Sequence, residues 1–543
     1  MNIRTVPTLP IPGQKPGTSG LRARTRVFMQ AGYLENFVQS IFDAIGGVAG
    51  RTLVLGGDGR HFCAQAAGII LRMAAAGGAA RVIVGRDGLL STPAASAVIR
   101  ARGADGGIIL SASHNPGGPD GDFGVKFNGA NGGPAPESLT ARIHAVSERI
   151  AAYRILDAPA PDLSRCGEIM LGAMTVEVID PVAEHAALLE RLFDFDAIRD
   201  LFASGFRMRF DAMHAVTGPY AREILVNRLG APEDTVLNGA PLPDFGGGHP
   251  DPNPTHAAAL TALMSGPDAP DFAAASDGDG DRIMILGRGI YVTPSDSLAV
   301  IAANADLAPG YADGIRGVAR SMPTSRAADR VAQALGVPLH ETPTGWKFFG
   351  SLLDAGKVTL CGEESAGAGS DHVREKDGLW AALMWLNILA RRRVPVAQLM
   401  AEHWRRFGRD YFTRHDYEAL DPAPARALIE DLRAALPDLP GRSAGGLRIE
   451  AADDFAYVDP VTGERAAAQG VRIFFADGAR ATLRLSGTGT VGATLRIYME
   501  RHEPDPARHG LDPQAALADV AAAVEALTGL RARTGRQGPD VRS

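Results

Sequence analysis

Short apolar runs alternate along this chain with stretches whose apolar positions recur at helical spacing. "RTLVLGGDGR" and "RVIVGRDG" predict strands that end in turns, and the segment from Cys63 to Ala76 between them predicts a helix. "GGIILSASHN" predicts a third strand, and "PESLTARIHAVSERIAAY" predicts a helix that begins at Pro136 and Glu137. This alternation of strands and helices favours the α/β class.

The alternation divides the 543 residues into four predicted domains, at 1–185, 186–300, 301–400 and 410–543. Near the start of the third domain, "PSDSLAVIAANADL" predicts a helix capped by Ser295 or Asp296. The last domain differs, because several strands precede its final helix. We expect it to be α+β with antiparallel strands.

Composition narrows the class of protein. The chain is 45% hydrophobic and 22% charged, which is typical of a soluble globular protein. A net charge of -7 argues against a general binder of nucleic acid or of anionic membranes. The N-terminal stretch lacks the apolar core of a secretory signal, and the apolar stretch from Leu379 to Ala390 is too short to span a bilayer and predicts a buried helix. The three cysteines, Cys63, Cys166 and Cys361, are far apart in sequence, so we expect a reducing, cytoplasmic location.

Three of the predicted strands end in loops of small and polar residues, at Ser113, Asp277 and Glu363. Ligands of open α/β sheets bind beyond the carboxyl ends of the strands. We therefore expect these loops, although they belong to different domains, to line one cleft.

The loop "SDGDGDR" places Asp277, Asp279 and Asp281 at alternate positions. Two unit charges 4 Å apart repel by about 4 kcal/mol at an effective dielectric constant near 20. A divalent cation relieves that repulsion, and oxygen ligands indicate Mg²⁺ or Ca²⁺. An EF-hand is unfavoured, because Arg282 and Arg288 occupy the positions that require Gly and Glu. A solvated acidic turn is the alternative, and Arg282 beside the loop suits an anionic substrate group.

The loop "SASHNPGGPDGDFG" contains Ser113 followed by His114. It lacks the G-x-S-x-G pattern of a hydrolase nucleophile elbow, and Ser113 by itself could be a plain turn residue. However, its glycine-rich tail offers backbone N–H groups to an anion, and Lys126 follows in the next apolar run. Together with an Mg²⁺ loop, these residues indicate phosphoryl transfer, in which positioning and charge neutralisation supply most of the catalysis.

Two further loops could bind substrate. "RLSGTGTVGATLR" places Ser486, Gly487 and Thr488 between Arg484 and Arg496, a combination suited to a phosphate group, although a hairpin turn is the alternative. "CGEESAGAGS" presents Glu363 and Ser365, which could hydrogen-bond to adjacent sugar hydroxyls.

Thirteen motifs in order resemble the α-D-phosphohexomutase superfamily, and most closely its glucose-specific phosphoglucomutases. The resemblance extends from "GQKPGTSGLR" through "STPA", "SASHNPGGPDGDFGVKFN", "NGGPAPE", "VEVIDPV", "HPDPN", "DGDGDR", "SMPTS", "ETPTGWKFFG", "GEES", "SDHVREKDGLWA" and "RLSGTGT" to "RARTGR". The family implies three related α/β domains and a C-terminal domain like the TATA-box-binding protein, arranged around a central cleft.

The resemblance also implies roles for individual residues. Ser113 would carry the phosphoryl group, with His114 and Lys126 beside the attacking hydroxyl, and a phosphoserine oxygen would join the three aspartates on Mg²⁺. The sugar phosphate would be bound by Arg22, Arg282, Thr344, Gly345, Glu363, Ser365 and Lys376, and its non-transferring phosphate by Arg484, Ser486, Gly487, Thr488 and Arg496.

The implied reaction interconverts glucose 1-phosphate and glucose 6-phosphate through glucose 1,6-bisphosphate, which would also act as an activator. A mannose- or N-acetylglucosamine-specific mutase and an inactive scaffold are the alternatives. We expect sugar phosphates as the only class of partner, without nucleic acid or membrane, and either a monomer or a homodimer. The chain departs from the family pattern at Ala366, Ala368, Thr490, Val491 and Arg326, which bears on sugar selectivity rather than on the reaction.

Overall fold

The first unit is built on a seven-stranded mixed sheet. The computed structural model describes residues 2–17, 19–486 and 492–543. The sheet has the order β2-β6-β5-β3-β4-β9-β8, and its central strands β5, β3, β4 and β9 are parallel, whereas β1 and β7 form a separate antiparallel pair. The elements of this unit are β1 (Ile3–Pro7), β2 (Leu21–Arg24), α1 (Thr25–Phe28), α2 (Tyr33–Ala44), β3 (Thr52–Gly57), α3 (Cys63–Gly77), β4 (Arg81–Leu89), α4 (Thr92–Arg102), β5 (Gly106–Leu110), β6 (Asp122–Gly129), α5 (Glu137–Ser147), β7 (Ala152–Leu156), β8 (Gly167–Leu171) and β9 (Met174–Ile179).

The second unit has a five-stranded sheet in the order β11-β10-β12-β13-β14. Strands β11, β10 and β12 are parallel, whereas β13 and β14 run antiparallel to their neighbours. Its elements are α6 (Ala183–Leu192), α7 (Phe195–Ala203), β10 (Met208–Asp211), α8 (Thr217–Ala221), β11 (Val236–Leu237), α9 (Ala258–Ser265), β12 (Phe272–Ser276), β13 (Ile283–Gly287) and β14 (Ile290–Val292).

The third unit repeats this arrangement with four strands in the order β16-β15-β17-β18, of which only β18 is antiparallel to its neighbour. Its elements are α10 (Pro294–Ala303), β15 (Val318–Ser321), α11 (Ala327–Leu335), β16 (Leu339–Thr342), α12 (Lys347–Asp354), β17 (Leu360–Gly362), β18 (Ala368–Ser370), α13 (Gly378–Arg392) and α14 (Val396–Phe407).

The fourth unit is an antiparallel sheet in the order β20-β21-β24-β25-β26-β19-β27, with helices packed against it. Its elements are β19 (Arg409–Leu420), α15 (Pro422–Ala435), β20 (Ser443–Ala444), β21 (Leu447–Asp454), β22 (Tyr457–Val458), β23 (Arg465–Ala466), β24 (Val471–Phe475), β25 (Arg480–Ser486), β26 (Ala493–Glu503), α16 (Pro513–Ala516), α17 (Ala518–Thr528), α18 (Leu530–Thr534) and β27 (Val541–Arg542). The predicted α+β character and the antiparallel strands of this last unit are confirmed.

The three α/β units share one strand–loop–strand arrangement, and it positions the candidate site. In each unit, a buried strand is followed by a loop and then by an antiparallel neighbour, in the pairs β5–β6, β12–β13 and β17–β18. The three loops contain Ser113, the aspartates of residues 277–281, and Glu363. The recurring strand-into-loop pattern in the sequence therefore corresponds to a repeated structural feature.

Two local predictions are wrong. The helix expected across "PESLTARIHAVSERIAAY" ends at Ser147, because its last residues join the strand Ala152–Leu156, which pairs with Ile3–Pro7. The cap of α10 is Thr293 rather than Ser295 or Asp296, because the Thr293 hydroxyl accepts a hydrogen bond from the backbone N–H of Asp296.

Helix α13 is the apolar stretch that the sequence predicts to be buried, and it is buried from Gly378 to Ala390. Its one polar interior residue, Asn387, accepts a hydrogen bond from the Asp194 backbone N–H at 2.8 Å and donates one to the Leu307 carbonyl at 2.9 Å. Asn387 therefore ties the helix to two segments that would otherwise leave backbone groups unpaired. In the described part of the chain, no helix combines the length and apolarity needed to cross a membrane.

We expect Asn387→Leu to destabilise the protein, although leucine is similar in volume and more apolar. The Asp194 N–H and the Leu307 carbonyl would each lose a partner, at a cost of about 1–3 kcal/mol per group. Thermal unfolding followed by circular dichroism measures the effect. Asn227→Leu is the control, because Asn227 is exposed and its side chain hydrogen-bonds to that of Glu223. Equal melting temperatures for the two variants would contradict this role of Asn387.

Candidate active site

Ser113 and the aspartate loop meet directly, although 164 residues separate them in sequence. The Ser113 hydroxyl donates a hydrogen bond of 2.9 Å to Asp277 Oδ2. Ser113 has a φ of 54° and its side chain is buried. Gly278 makes this approach possible, because a Cβ atom there would lie 2.4 Å from the Ser113 carbonyl oxygen. The first and second units thus contribute one residue each to the centre of the site.

The three aspartates form a compact group of oxygen ligands. One carboxylate oxygen from each of Asp277, Asp279 and Asp281 lies within 4.8 Å of the others, and all three side chains are buried. Burial, followed by the charges of Asp281 and Asp279, raises the pKa of Asp277 well above its usual value. Oδ1 of Asp279 and Oδ1 of Asp281 are buried without a hydrogen-bond partner among the described residues. Unpartnered oxygens in an all-carboxylate set fit a hard divalent cation such as Mg²⁺.

Two lysines from different units contact this acidic group. Lys126 Nζ on β6 donates to Asp279 Oδ2 at 2.5 Å, and Lys376 Nζ lies 3.1 Å from Asp281 Oδ2. Burial raises the pKa of Asp279, but the charge and hydrogen bond of Lys126 outweigh burial, so the net pKa is lowered. Burial lowers the pKa of Lys376, whereas the charges of Asp281 and Glu363 raise it, and the net pKa is higher than usual. Both lysines predicted from the family resemblance therefore lie at the site.

The loop that is predicted to bind the sugar lies against the aspartate loop. The backbone N–H of Ile283 donates to the Ala366 carbonyl at 3.0 Å, and Arg282 pairs with Gly367 as an isolated bridge. Glu363 Oε1 accepts a hydrogen bond of 2.8 Å from the Gly345 N–H, so two predicted substrate-binding residues are adjacent. Burial raises the pKa of Glu363.

The remaining predicted ligands in the first three units surround this centre. Arg22 Nε, Arg282 Nε and Thr344 Oγ1 are buried without a hydrogen-bond partner among the described residues, which leaves them available to a ligand. Burial, and then the charge of Arg282, lowers the pKa of Arg22 to about 10. Ser365 is partly exposed in the loop beside Glu363.

His114 lies beside Ser113 and among several cations. Burial and then the charges of Arg282 and Arg22 lower the pKa of His114 well below its usual value. Its Nδ1 is buried without a hydrogen-bond partner among the described residues. A neutral imidazole is therefore favoured at this position.

The predicted phosphate loop is only partly described. Gly487 and Thr488, together with the departures Thr490 and Val491, lie outside the described residues. Arg484 on β25 donates through Nε to the Gln469 carbonyl at 3.1 Å. Arg496 on β26 lies 3.7 Å from Asp416 through its Nε. Ser486 is the last residue of β25.

Arg326, a departure from the family pattern, connects the third and fourth units. Its Nε donates to Glu500 Oε1 at 2.5 Å, and its Nη2 donates to the Gly478 carbonyl at 2.6 Å. These contacts lie between α11 and the antiparallel sheet. Arg326 is therefore an interdomain contact in this structure.

Sequence reasoning missed a buried network that positions Ser113. Arg60 Nη2 donates to the Ser113 carbonyl at 2.6 Å, and Ser111 Oγ accepts from the Ser113 N–H at 2.7 Å. Asp58 holds both partners, since it accepts from Arg60 Nε at 2.9 Å and from the Ser111 hydroxyl at 2.6 Å. The sequence does contain a pattern that could have drawn attention to Arg60. The segment "GGDGR" follows an apolar strand and, like "DGDGDR", combines an Asp-Gly pair with a following arginine.

Comparison with known proteins agrees with this fold. Four family models match in chain order: phosphoglucomutase/phosphomannomutase α/β/α domain I at residues 13–154, domain II at 183–289, domain III at 294–407, and the C-terminal domain of phosphoglucomutase-1 at 409–540. A phosphoglucomutase from Rhizobium radiobacter is 59% identical over 539 residues, covering 99% of each chain. Phosphoglucomutase-1 from Homo sapiens is 49% identical over 563 residues, covering all of both chains.

A solved structure shows the same architecture. The phosphoglucomutase pp63/parafusin from Paramecium, in its open form, is 45% identical, superposes with a TM-score of 0.92, and covers 100% of this chain and 99% of its own. The chain belongs to the phosphoglucomutase/phosphomannomutase family, a class of isomerases acting by phosphoryl transfer. Within that family, its C-terminal stretch matches the phosphoglucomutase-1 model, and the relatives named above are phosphoglucomutases.

We expect Arg60→Met to be strongly destabilising, because it leaves Asp58 as an unpaired buried carboxylate. Removing one partner of a buried ion pair costs about 3–5 kcal/mol. Asp58→Asn in the same chain should recover part of the loss, and thermal unfolding measures both effects. Arg24→Met is the matched control, since Arg24 is half-exposed and lies 3.5 Å from Asp122. A loss no larger than that of the control would contradict the structural role of Arg60.

Proposed function

We propose that this enzyme interconverts glucose 1-phosphate and glucose 6-phosphate through a phosphoserine at Ser113. The observation that carries the proposal is the 2.9 Å contact between the Ser113 hydroxyl and Asp277 of the aspartate loop. This contact brings a serine hydroxyl of the first unit to one of the three buried aspartates of the second. Such a pairing suits phosphoryl transfer, in which charge neutralisation does most of the catalysis.

The phosphoryl group moves between Ser113 and the sugar in two steps. The free 6-hydroxyl of glucose 1-phosphate attacks the phosphorus of phosphoserine, the bond from phosphorus to Ser113 Oγ breaks, and glucose 1,6-bisphosphate forms. The hydroxyl proton passes to His114 or Lys126, and the departing Ser113 Oγ takes up a proton to become the free serine hydroxyl; in the second step the Ser113 hydroxyl gives up its proton and the departing sugar oxygen gains one. The bisphosphate then reorients, and its 1-phosphoryl group returns to Ser113, which releases glucose 6-phosphate. Glucose 1,6-bisphosphate from solution phosphorylates enzyme whose Ser113 is unphosphorylated, and so acts as an activator.

Mg²⁺ held by Asp277, Asp279 and Asp281, with a phosphoserine oxygen as a further ligand, would supply positive charge to the transferring group. Arginine and lysine side chains of the protein would supply further positive charge. Arg22, with its unpartnered Nε, is proposed to bind a substrate phosphate. Lys376, which lies 3.1 Å from Asp281 and has a raised pKa, is proposed to contact the sugar phosphate as a protonated ammonium group.

Sugar recognition is assigned to the loop beside the aspartates. Glu363, oriented by the Gly345 N–H, and Ser365 are proposed to hydrogen-bond to sugar hydroxyls, with Thr344 adjacent. Arg484, Ser486, Gly487, Thr488 and Arg496 are proposed to bind the phosphate that is not being transferred. Because the bisphosphate binds in two orientations, one group of side chains serves both the 1- and the 6-phosphate.

The neutral state favoured for His114 narrows its role. A neutral imidazole adds no fixed positive charge beside the phosphoserine, so we assign it to hydrogen bonding or proton exchange with the attacking hydroxyl. The positive charge at this end of the cleft then comes from arginines and lysines.

We also propose a cytoplasmic location. Three cysteines without disulfide partners support it, since Cys63 and Cys361 are buried as free thiols and Cys166 is exposed. Either a monomer or a homodimer fits a site built from the four units of one chain.

We expect Ser113→Ala to abolish turnover, because alanine has no oxygen to carry the phosphoryl group. A coupled assay with Mg²⁺, glucose 1-phosphate and glucose 1,6-bisphosphate measures the rate, and intact mass spectrometry shows whether one phosphoryl group is present. Ser164→Ala, at an exposed position of the first unit, is the control. Normal turnover by Ser113→Ala would exclude the serine mechanism, and an unphosphorylated, inactive wild type would favour the scaffold alternative.

Glucose phosphates should be the preferred substrates. We expect kcat/KM for glucose 1-phosphate to exceed the values for mannose 1-phosphate and N-acetylglucosamine 1-phosphate. Glu363→Gln should lower kcat/KM for glucose 1-phosphate about 10- to 100-fold, because a hydrogen bond to a charged group contributes about 1.5–3 kcal/mol. A higher value for mannose 1-phosphate would identify the chain as a phosphomannomutase instead.

A further inference from the structure

A second group of metal-ligating side chains lies near the Ser113 loop, in the "HPDPNPTH" segment that the proposed mechanism does not use. We propose that His249, Asp251 and His256 form a binding site for a divalent transition-metal cation, distinct from the aspartate site. One ligand atom from each of these three side chains lies within 4.8 Å of the other two. They are the second such group among the described residues, and they differ from the first in offering two imidazoles.

The loop that carries these ligands is held in shape by Asn253. The Asn253 side-chain oxygen accepts hydrogen bonds from the backbone N–H groups of Thr255 and His256, both at 3.0 Å. Its amide donates to Asp251 Oδ2 at 2.8 Å. This contact orients the Asp251 carboxylate through one oxygen, which is the supporting contact that metal-bound carboxylates usually have.

The His249 ring has a nitrogen suited to binding a metal. His249 Nδ1 is buried without a hydrogen-bond partner among the described residues. The ring centroids of His249 and His256 are 4.0 Å apart with an interplanar angle of 63°. A neutral imidazole with a free nitrogen is the form that binds metals.

The donor set selects the kind of cation. Two imidazole nitrogens and one carboxylate favour Zn²⁺, Co²⁺ or Ni²⁺, whereas three carboxylates favour Mg²⁺. The two groups in this chain should therefore bind different cations when both are supplied. Three protein ligands also leave a coordination position open to water or to an anion.

The position of the cluster links it to the catalytic cleft. The His249 ring centroid lies 6.3 Å from that of His114, which adjoins Ser113. A cation held there would add positive charge at the end of the cleft that receives a phosphate group. This effect on phosphate binding rests on the proposed function, whereas the metal site itself does not.

Zinc binding by the untagged full-length chain tests the site. Equilibrium dialysis against Zn²⁺ is carried out with Mg²⁺ in large excess, and all proteins carry Cys166→Ser to remove the exposed thiol. We expect one Zn²⁺ per chain, and an affinity at least about tenfold lower in His256→Ala, which removes one ligand. His256 is exposed, so the variant should fold normally. His340→Ala, at a partly exposed histidine of β16, is the control and should bind as the parent does.

Anomalous diffraction from Zn²⁺-soaked crystals locates the cation. A peak between His249, Asp251 and His256 is expected, and a peak only at the aspartates would overturn the proposal, as would unchanged Zn²⁺ affinity in His256→Ala. The mutase assay with Mg²⁺ alone separates this result from the proposed function. Full activity with no Zn²⁺ bound at the cluster would reject only the new site, whereas Zn²⁺ bound there in a chain without mutase activity would reject only the proposed function.

Discussion

The burial of three carboxylates on one short loop is the constraint on which the rest of the site depends. Asp277, Asp279 and Asp281 repel one another in a region that water does not reach, so each must be neutralised or paired. Lys126 of the first unit and Lys376 of the third supply positive charge, and Ser113 supplies a hydrogen bond. The acidic loop thereby requires three units of the chain to come together at one point.

Ser113, the proposed phosphoryl carrier, is fixed in place by further contacts within the first unit. Ser113 has a left-handed backbone conformation, which is uncommon for a residue with a side chain. Arg60 binds its carbonyl and Ser111 binds its N–H, and both are anchored by Asp58. A rigid carrier suits a reaction in which the same serine must accept and donate a phosphoryl group in a constant geometry.

Much of this arrangement could be predicted from the sequence, because each local pattern has a local cause. The apolar strand before Ser113 and the alternating aspartates each predict a strand that ends in a functional loop. Contacts that depend on tertiary packing were not predictable. Arg60 precedes Ser113 by 53 residues, and nothing near it in sequence indicates its partner. Thr293 likewise caps α10 although Ser295 and Asp296 follow it, because the helix begins at Pro294, two or three residues earlier than those caps would imply.

We propose that the buried aspartates form a cation site that stabilises the assembled cleft. The most direct measurement is the melting temperature of metal-free protein as Mg²⁺ is added, since a ligand that binds only the folded state stabilises it by mass action. The melting temperature should rise with Mg²⁺ concentration in the wild type and stay constant in a chain carrying Asp279→Asn and Asp281→Asn. A wild-type melting temperature that does not change with Mg²⁺, or a variant whose melting temperature rises as much as that of the wild type, would contradict a cation site at the aspartates.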